Sequence, residues 1–346
     1  MDSETQNRAR ESRELTHLLQ TAMGYSQAQV LFTAHRLGVF AYLGHEGGRT
    51  AEEVAQHCRT APRQTEHLLN ACVPLRLLEK DGGRYRNSPL AGAYLVDGSP
   101  TYMGDWVNLW ATWYRRWADL ETTVRTGRPI QDAAEHLGGD ATYTRTFILA
   151  MHQYARGRGK EMIDRVNLAG RTRLLDVGGG PGTYSMLLAR KNPMLSAVVF
   201  DLPGVVSIAR ELIEASGLSD RVTVQAGDYT KDTLGSGAYD VVLLSNMLNQ
   251  DDADACRCVL RKAHDALAPG GLLIVQAMFL NPAKDGPLFP ALQSLLLSLL
   301  YEHGRAYSLD ETVELVSQTG FVDVQPKRMS LLNAESLILA SKPVGV

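Results

Sequence analysis

Five short runs of Val, Leu and Ile recur between residues 173 and 278: RLLDVGG (173–179), SAVVFDLP (196–203), VTVQAGDY (222–229), YDVVLLSN (239–246) and LLIVQAM (272–278). Helical stretches such as VVSIARELIEASG and DACRCVLRKAHDALAPGG separate them. Runs this short and this continuously apolar suit strands buried on both faces, and the stretches between them suit crossover helices. The alternation predicts an α/β fold, a Rossmann-like, doubly wound and mostly parallel sheet with helices on both faces. Ligands of such sheets bind beyond the carboxyl ends of the strands, near the point where strand order reverses. Functional residues are therefore expected where each run ends.

The first run ends in Asp176-Val177-Gly178-Gly179-Gly180-Pro181-Gly182. Glycines there allow a tight turn, and the next helix offers free N–H groups. A dinucleotide fingerprint starting at Gly178 needs glycine at 183, where Thr183 stands. Asp176, two residues before the first glycine, would repel a pyrophosphate and attract a cationic amino-acid end. The second run ends at Asp201-Leu202, and a carboxylate at that place accepts ribose hydroxyls in dinucleotide folds. The third ends in Gly227-Asp228-Tyr229, an acid beside a flat ring that could hold an adenine. Each acid alone reads as readily as a helix cap or turn. Three at successive strand ends behind one glycine loop point together to a ligand.

The first half follows another pattern. RTAEEVAQHC opens with a Thr50 cap and acids in the first turn, RQTEHLLNACVPLRLLEK continues at helical spacing apart from Pro74, and DGGRYR turns into a strand. Helix, helix and hairpin make a winged helix, whose recognition helix would carry only Arg63, His67 and Arg76 as basic groups. Trp106, Trp110, Trp113 and Trp117 share one helical face. They read first as core or subunit interface, and second as the wall of a pocket for a flat guest. Three domains are expected: 12–100 winged-helix-like, 101–165 a helical linker and substrate wall, and 166–346 Rossmann-like.

A net charge of −3 provides no large cationic surface, so a nucleic-acid partner is not expected. Cys58, Cys72, Cys256 and Cys258 lack disulfide-framework or zinc spacing, and no metal site is expected. The polar N-terminus lacks a signal core, and the most apolar run, 288–301, is too short to span a bilayer. A cytoplasmic protein without a membrane partner is the expectation.

LLDVGGGPGTYSMLLA, VVFDLPGVV, AGDYTKD and ALAPGGLLIV, in this order and spacing, resemble the S-adenosylmethionine-dependent small-molecule O-methyltransferases of plant and bacterial secondary metabolism. LGVFAYL, RTAEEVAQHC and LLNACVPLRLLEKDGGRYRNSPLAGAYL are similar to that family's winged-helix dimerisation domain. The resemblance implies S-adenosyl-L-methionine as cofactor, a domain-swapped homodimer, and a small-molecule substrate bound between the domains. Carried over by position, Asp176, Gly178, Gly180, Asp201, Leu202, Gly227, Asp228, Tyr229 and Ser245 would hold the cofactor.

Typical members follow the fourth strand with a histidine that deprotonates the substrate hydroxyl. Here SNMLNQDD (245–252) places Asn249 in that position. The family orients its histidine with two glutamates, which fall at Gln276 and near Ala306. All three positions are neutral. A positioned base contributes about 10²–10⁴-fold, so its loss leaves several readings open. The substrate is acidic enough to ionise unaided, the nucleophile is carbon, or another base serves. His152 and Tyr154 are candidates for the last, with Arg156 or Arg158 beside them, and His303 is a second site. Asn249 and Gln276 would then orient the substrate by hydrogen bonding. Met151, Tyr154, Trp106, Trp110, Phe289, Leu295 and His303 are the expected substrate contacts, suggesting an aromatic or polyketide-like guest. Beside methyl transfer stand two alternatives: sulfonium-dependent hydroxylation, decarboxylation or pericyclic chemistry, and a winged-helix regulator.

Overall fold

The computed structural model describes residues 3–44, 47–130, 139–329 and 334–344, and the chain divides into two compact units at Ala111/Thr112. Among the described residues no helix is long and apolar enough to cross a membrane.

The first unit contains α1 (Ser3–Arg36), α2 (Val39–Leu43), α3 (Ala51–Cys58), α4 (Pro62–Cys72), β1 (Leu78–Asp81), β2 (Arg84–Asn87) and α5 (Pro89–Tyr94). The division from the second unit falls within α6 (Gly104–Trp117). The sequence opens α3 with a capping box: the Glu53 N–H donates to Thr50 Oγ1, and the Thr50 N–H donates to Glu53 Oε2. α4 stops two residues before Pro74, short of the helical reading, because proline has no N–H to continue the helical hydrogen-bond ladder. The β1–β2 hairpin then follows, antiparallel, its Tyr85 buried with Phe40, Val54, Leu69 and Leu78 in one core. Helix, helix and hairpin form the winged helix that the sequence predicts.

The second unit continues with α7 (Leu120–Thr126) and α8 (Ala141–Arg165), then alternates β3 (Arg173–Val177), α9 (Thr183–Lys191), β4 (Ser196–Asp201), α10 (Pro203–Ser216), β5 (Val222–Ala226), β6 (Tyr239–Ser245), α11 (Ala253–Ala266) and β7 (Leu267–Met278). It closes with α12 (Leu288–Leu300), α13 (Leu309–Ser317), β8 (Val322–Arg328) and β9 (Glu335–Ser341). The seven-stranded sheet runs β5-β4-β3-β6-β7-β9-β8, parallel from β5 through β7, with β9 antiparallel to both its neighbours. Leu174, Val199, Val241 and Leu243 on these strands are fully buried, which is why the runs read as unbroken apolar segments rather than alternating ones.

β7 begins at Leu267, five residues earlier than the sequence reading, because Leu267 pairs with Tyr239 and the Gly270 N–H donates to the Lys342 carbonyl. The chain moves outward from β3 to β4 to β5, then returns to the other side of β3 as β6. That reversal opens a crevice at the carboxyl ends of β3 and β6.

Gly227 shows how tightly this rim is built. A Cβ there would lie 2.3 Å from the buried Phe200 ring, leaving no space for alanine. Gly227→Ala is expected to destabilise the protein by about 1–3 kcal/mol, read as a lower urea midpoint at unchanged slope.

Candidate active site

The crevice is a cavity of about 620 Å³, lined by residues from α8, the loop after β3, the ends of β4 and β6, the turn after β5 and the 301–303 segment. Asp176, the penultimate residue of β3, is 1 % exposed. Its Oδ2 accepts the Ser185 hydroxyl at 2.7 Å, while its Oδ1 has no hydrogen-bond partner among the described residues. A Cβ on Gly179 would stand 2.7 Å from the Asp176 carboxyl carbon, so only glycine lets the loop cross over this acid. Burial, and then the charge of Asp201, push the Asp176 carboxyl up to about 7 against the Ser185 bond.

Asp201, at the end of β4, accepts the Gly180 N–H on Oδ2 at 2.8 Å and the Leu202 N–H on Oδ1 at 2.7 Å. Burial raises it to about 6 despite these two bonds. Each carboxylate oxygen retains accepting capacity beyond one bond. Asp228 is more exposed. Burial pulls its carboxyl up, but the Lys231 ammonium and the hydroxyl and amide of Thr230 outweigh this and hold it below the usual range. Tyr229 lines the cavity beside it and donates its hydroxyl to Asp251 Oδ2 at 3.2 Å.

Beyond β6, Asn249 lies on a short 3₁₀ turn, Leu248–Gln250, and is 3 % exposed. It does not line the main cavity. With Gln276 it lines a small void beside Leu244, Leu248, Phe279 and Thr312, and its Nδ2 has no hydrogen-bond partner among the described residues. Gln276 is fully buried on β7 and acts as a brace: its Oε1 accepts the Ser245 hydroxyl at 2.9 Å and its Nε2 donates to the Tyr184 hydroxyl at 2.9 Å. Ser245 and Tyr184 both line the main cavity.

Asp176, Gly178, Gly180, Asp201, Leu202, Asp228, Tyr229, Ser245, Met151, Tyr154 and His303 thus converge on one cavity. Gly227, Asn249, Gln276 and His152 are not among its lining residues, nor are Trp106 and Trp110, which belong to the first unit. Phe289 and Leu295 of α12 do not line it either. Gly227 supports the rim, its N–H bonded to the Asp201 carbonyl. His152 Nδ1 lies 2.8 Å from Thr183 Oγ1 at the start of α9, and burial, helped by Arg156, lowers its pKa to about 4, so it is neutral at pH 7. Trp106 and Trp110 pack at 6.2 Å between ring centroids.

Sequence reasoning did not single out Phe147, Tyr184, Gln250, Asp251 or Tyr301, which also line the cavity. Only Tyr184 carried a local signal, since it sits in the first turn behind the glycine loop.

Residues 117–322 match the model of the O-methyltransferase domain, and residues 19–97 match that of the O-methyltransferase dimerisation domain. The chain is 33 % identical over 332 residues to the 3-hydroxy-5-methyl-1-naphthoate 3-O-methyltransferase of Streptomyces sahachiroi, covering 94 % of this chain and 95 % of that one. It is 34 % identical over 336 residues to the N,N-dimethyltransferase OxyT of Streptomyces rimosus, covering 94 % and 96 %. Its structure superimposes on human N-acetylserotonin methyltransferase in complex with SAM at a TM-score of 0.87 and 29 % identity, covering 95 % and 98 %.

The two raised carboxyls make a prediction for the ligand-free protein. Their folded pKa values, about 7 and about 6, exceed the unfolded value near 3.8. The folded chain then binds more protons between pH 4 and 7, so their contribution to stability is present at the acidic end and declines as pH rises through that window. Asp176→Asn should gain stability relative to wild type as pH increases from 4 to 8, by roughly 2–4 kcal/mol, measured by urea unfolding at each pH. A pH-independent difference contradicts the burial of Asp176.

Proposed function

Since this chain belongs to the S-adenosylmethionine-dependent O-methyltransferases, we propose that it transfers a methyl group to an oxygen of a small aromatic or polyketide-like metabolite. The substrate class rests on the naphthoate enzyme among its relatives, and OxyT indicates that the acceptor atom varies among them.

The observation that carries this reading is Asp176, a buried carboxylate lining the cavity with one oxygen that has no partner among the described residues. A buried charge needs a partner of opposite sign. A cationic amino-acid end fits that need, and a pyrophosphate does not. In this reading Asp176 receives the ammonium of the cofactor, and the glycine loop at Gly178 and Gly180 lies along its methionyl part. Asp201 accepts the ribose hydroxyls with Leu202 beside it. Asp228 and Tyr229 flank the adenine, and Ser245 closes the floor. When bound, S-adenosylmethionine supplies a methyl carbon activated by attachment to a sulfonium.

Met151, Tyr154 and His303 form the substrate side of the cavity. Neither Asn249 nor Gln276 can accept a proton at neutral pH, so they serve as positioning groups, Gln276 by fixing Ser245 and Tyr184. His152 steadies Thr183 behind the glycine loop. In this reading residues 12–100 serve dimerisation, 101–165 the substrate wall and 166–346 cofactor and catalysis, although the chain divides into its compact units at Ala111/Thr112.

The partner is a second copy of this chain, exchanged through its N-terminal helix. Leu15, Leu18, Leu19 and Met23 on α1 are all more than half exposed in the single chain, and their spacing of three and four puts them on one face. A cytoplasmic location, where thiols stay reduced, suits four free cysteines.

Three experiments test these readings. Calorimetry should show S-adenosylmethionine binding that Asp201→Ala weakens roughly 10–100-fold, since hydrogen bonds to a charged group contribute about 1.5–3 kcal/mol. Methyl-labelled cofactor incubated with hydroxynaphthoic acids should yield an O-methylated product. Labelled product with the methyl on carbon, or consumption of the acid with the cofactor intact, overturns the oxygen-transfer reading. For assembly, light scattering should report a dimer for wild type and a monomer for the Leu15→Glu/Leu19→Glu variant. A wild-type monomer refutes the exchange.

A further inference from the structure

Glu335 opens β9 opposite Met278, the last residue of β7, at the same end of the sheet as the cavity. It is 1 % exposed. The Tyr154 hydroxyl donates to its Oε1, while its Oε2 has no hydrogen-bond partner among the described residues. Tyr154 projects from α8, lines the cavity, and also contacts Met278 Sδ at 3.8 Å. A carboxylate is thus held one phenol away from the substrate side of the cavity, in a protein whose Asn249 and Gln276 cannot take a proton. Burying such a group costs several kcal/mol without a matching partner, which a purely structural residue in a strand has no need to incur.

We propose that Tyr154 is a catalytic residue that accepts the proton of the acceptor hydroxyl, with Glu335 as the positioning residue behind it that receives the phenol's own proton. This rests on the O-methyltransferase reading above. The acceptor O–H bond breaks and its proton moves to Tyr154 Oη, while the Tyr154 proton moves to Glu335 Oε1. The acceptor oxygen uses the electron pair it keeps to bond the methyl carbon, and the carbon–sulfur pair remains on the donor sulfur. The carboxylate ends as a neutral acid, the sulfonium as a neutral thioether and the hydroxyl as a methyl ether, so charge balances. The proton leaves Glu335 to solvent after product departs.

The charged and titratable groups facing Glu335 are Tyr154, Arg158 and Glu161 of α8, with Tyr184 of α9. Burial raises the Glu335 carboxyl, the Tyr154 bond and Arg158 oppose this, and Glu161 adds to it. A carboxylate so placed is a stronger base than an exposed one.

The test uses full-length protein, labelled S-adenosylmethionine, and naphthols and hydroxynaphthoic acids of graded acidity. Tyr154→Phe and Glu335→Gln should each lower kcat by about 10²–10³-fold, with KM and calorimetric cofactor affinity little changed. The double variant should be no slower than the slower single one, as expected of groups acting in series. The loss should shrink as the phenol becomes more acidic. Wild-type kcat should rise with pH through an inflection above the ordinary carboxylate range, and Glu335→Gln should remove it. Independently of turnover, infrared difference spectra of the cofactor-free protein should show, besides the bands of Asp176 and Asp201, one protonated-carboxyl component that disappears through this range and that Glu335→Gln alone removes. If Glu335→Gln does not fold, Tyr154→Phe carries the kinetic test. Transfer by wild type that both variants leave unchanged, or fully additive losses, overturns the relay alone. Binding of cofactor without transfer to any probe overturns the substrate reading and the relay together.

Discussion

A carboxylate buried at the reversal point of a parallel sheet governs how the rest of the site is arranged. Asp176 sits on β3, flanked by β4 and β6, where neither neighbour supplies a cation. Among the described residues only one of its oxygens is satisfied, by Ser185. Gly179 must lack a side chain because the loop passes directly over that carboxyl, and Gly180 must turn its N–H toward Asp201 to complete the curve. The charge of Asp201 adds to the cost of ionising Asp176, so this end of the cavity favours a ligand that brings positive charge.

The other end of the cavity is organised by neutral groups. Gln276 holds the Ser245 and Tyr184 hydroxyls in fixed orientation from a fully buried position. A glutamate there would add a third buried carboxylate to a region that already contains Asp176 and Glu335, with no imidazole to share its charge. The amide fills the same volume and satisfies both hydroxyls without charge. Asn249, 3 % exposed, lines a small void beside Gln276 and is not among the residues lining the main cavity. On the α8 side the Tyr154 hydroxyl donates to the buried Glu335 carboxyl, the contact on which the proposed relay rests.

Legibility in the sequence followed the range of the interactions. The five strand runs were readable because a strand covered on both faces must be apolar throughout, and the turn and cap residues at their ends act within a few positions. Asp176, Gly178, Gly180, Asp201, Asp228 and Tyr229 were readable for the same reason: each lies at, or within three residues of, the end of a strand that the sheet aims at one crevice, whereas Ser245 came only from the family resemblance. The start of β7 was misplaced because Leu267 and Gly270 are strand residues only through pairing with Tyr239 and Lys342. His152 and Tyr154 share one helix and looked equivalent as sequence. The orientation of α8 separates them, giving Tyr154 to the cavity and His152 to Thr183.

By itself, then, the sequence determined the doubly wound sheet, the winged helix before it and the glycine loop with its acids, all of them properties written within a few neighbouring residues. Tertiary structure alone decided that Gln276 braces two hydroxyls, that Asn249 lines a small void beside Gln276, and that Glu335 stands behind Tyr154. Those pairings join residues separated by 31 to 181 positions. No local pattern encodes them, because a buried hydrogen bond is set by which strands and helices the whole sheet brings within reach.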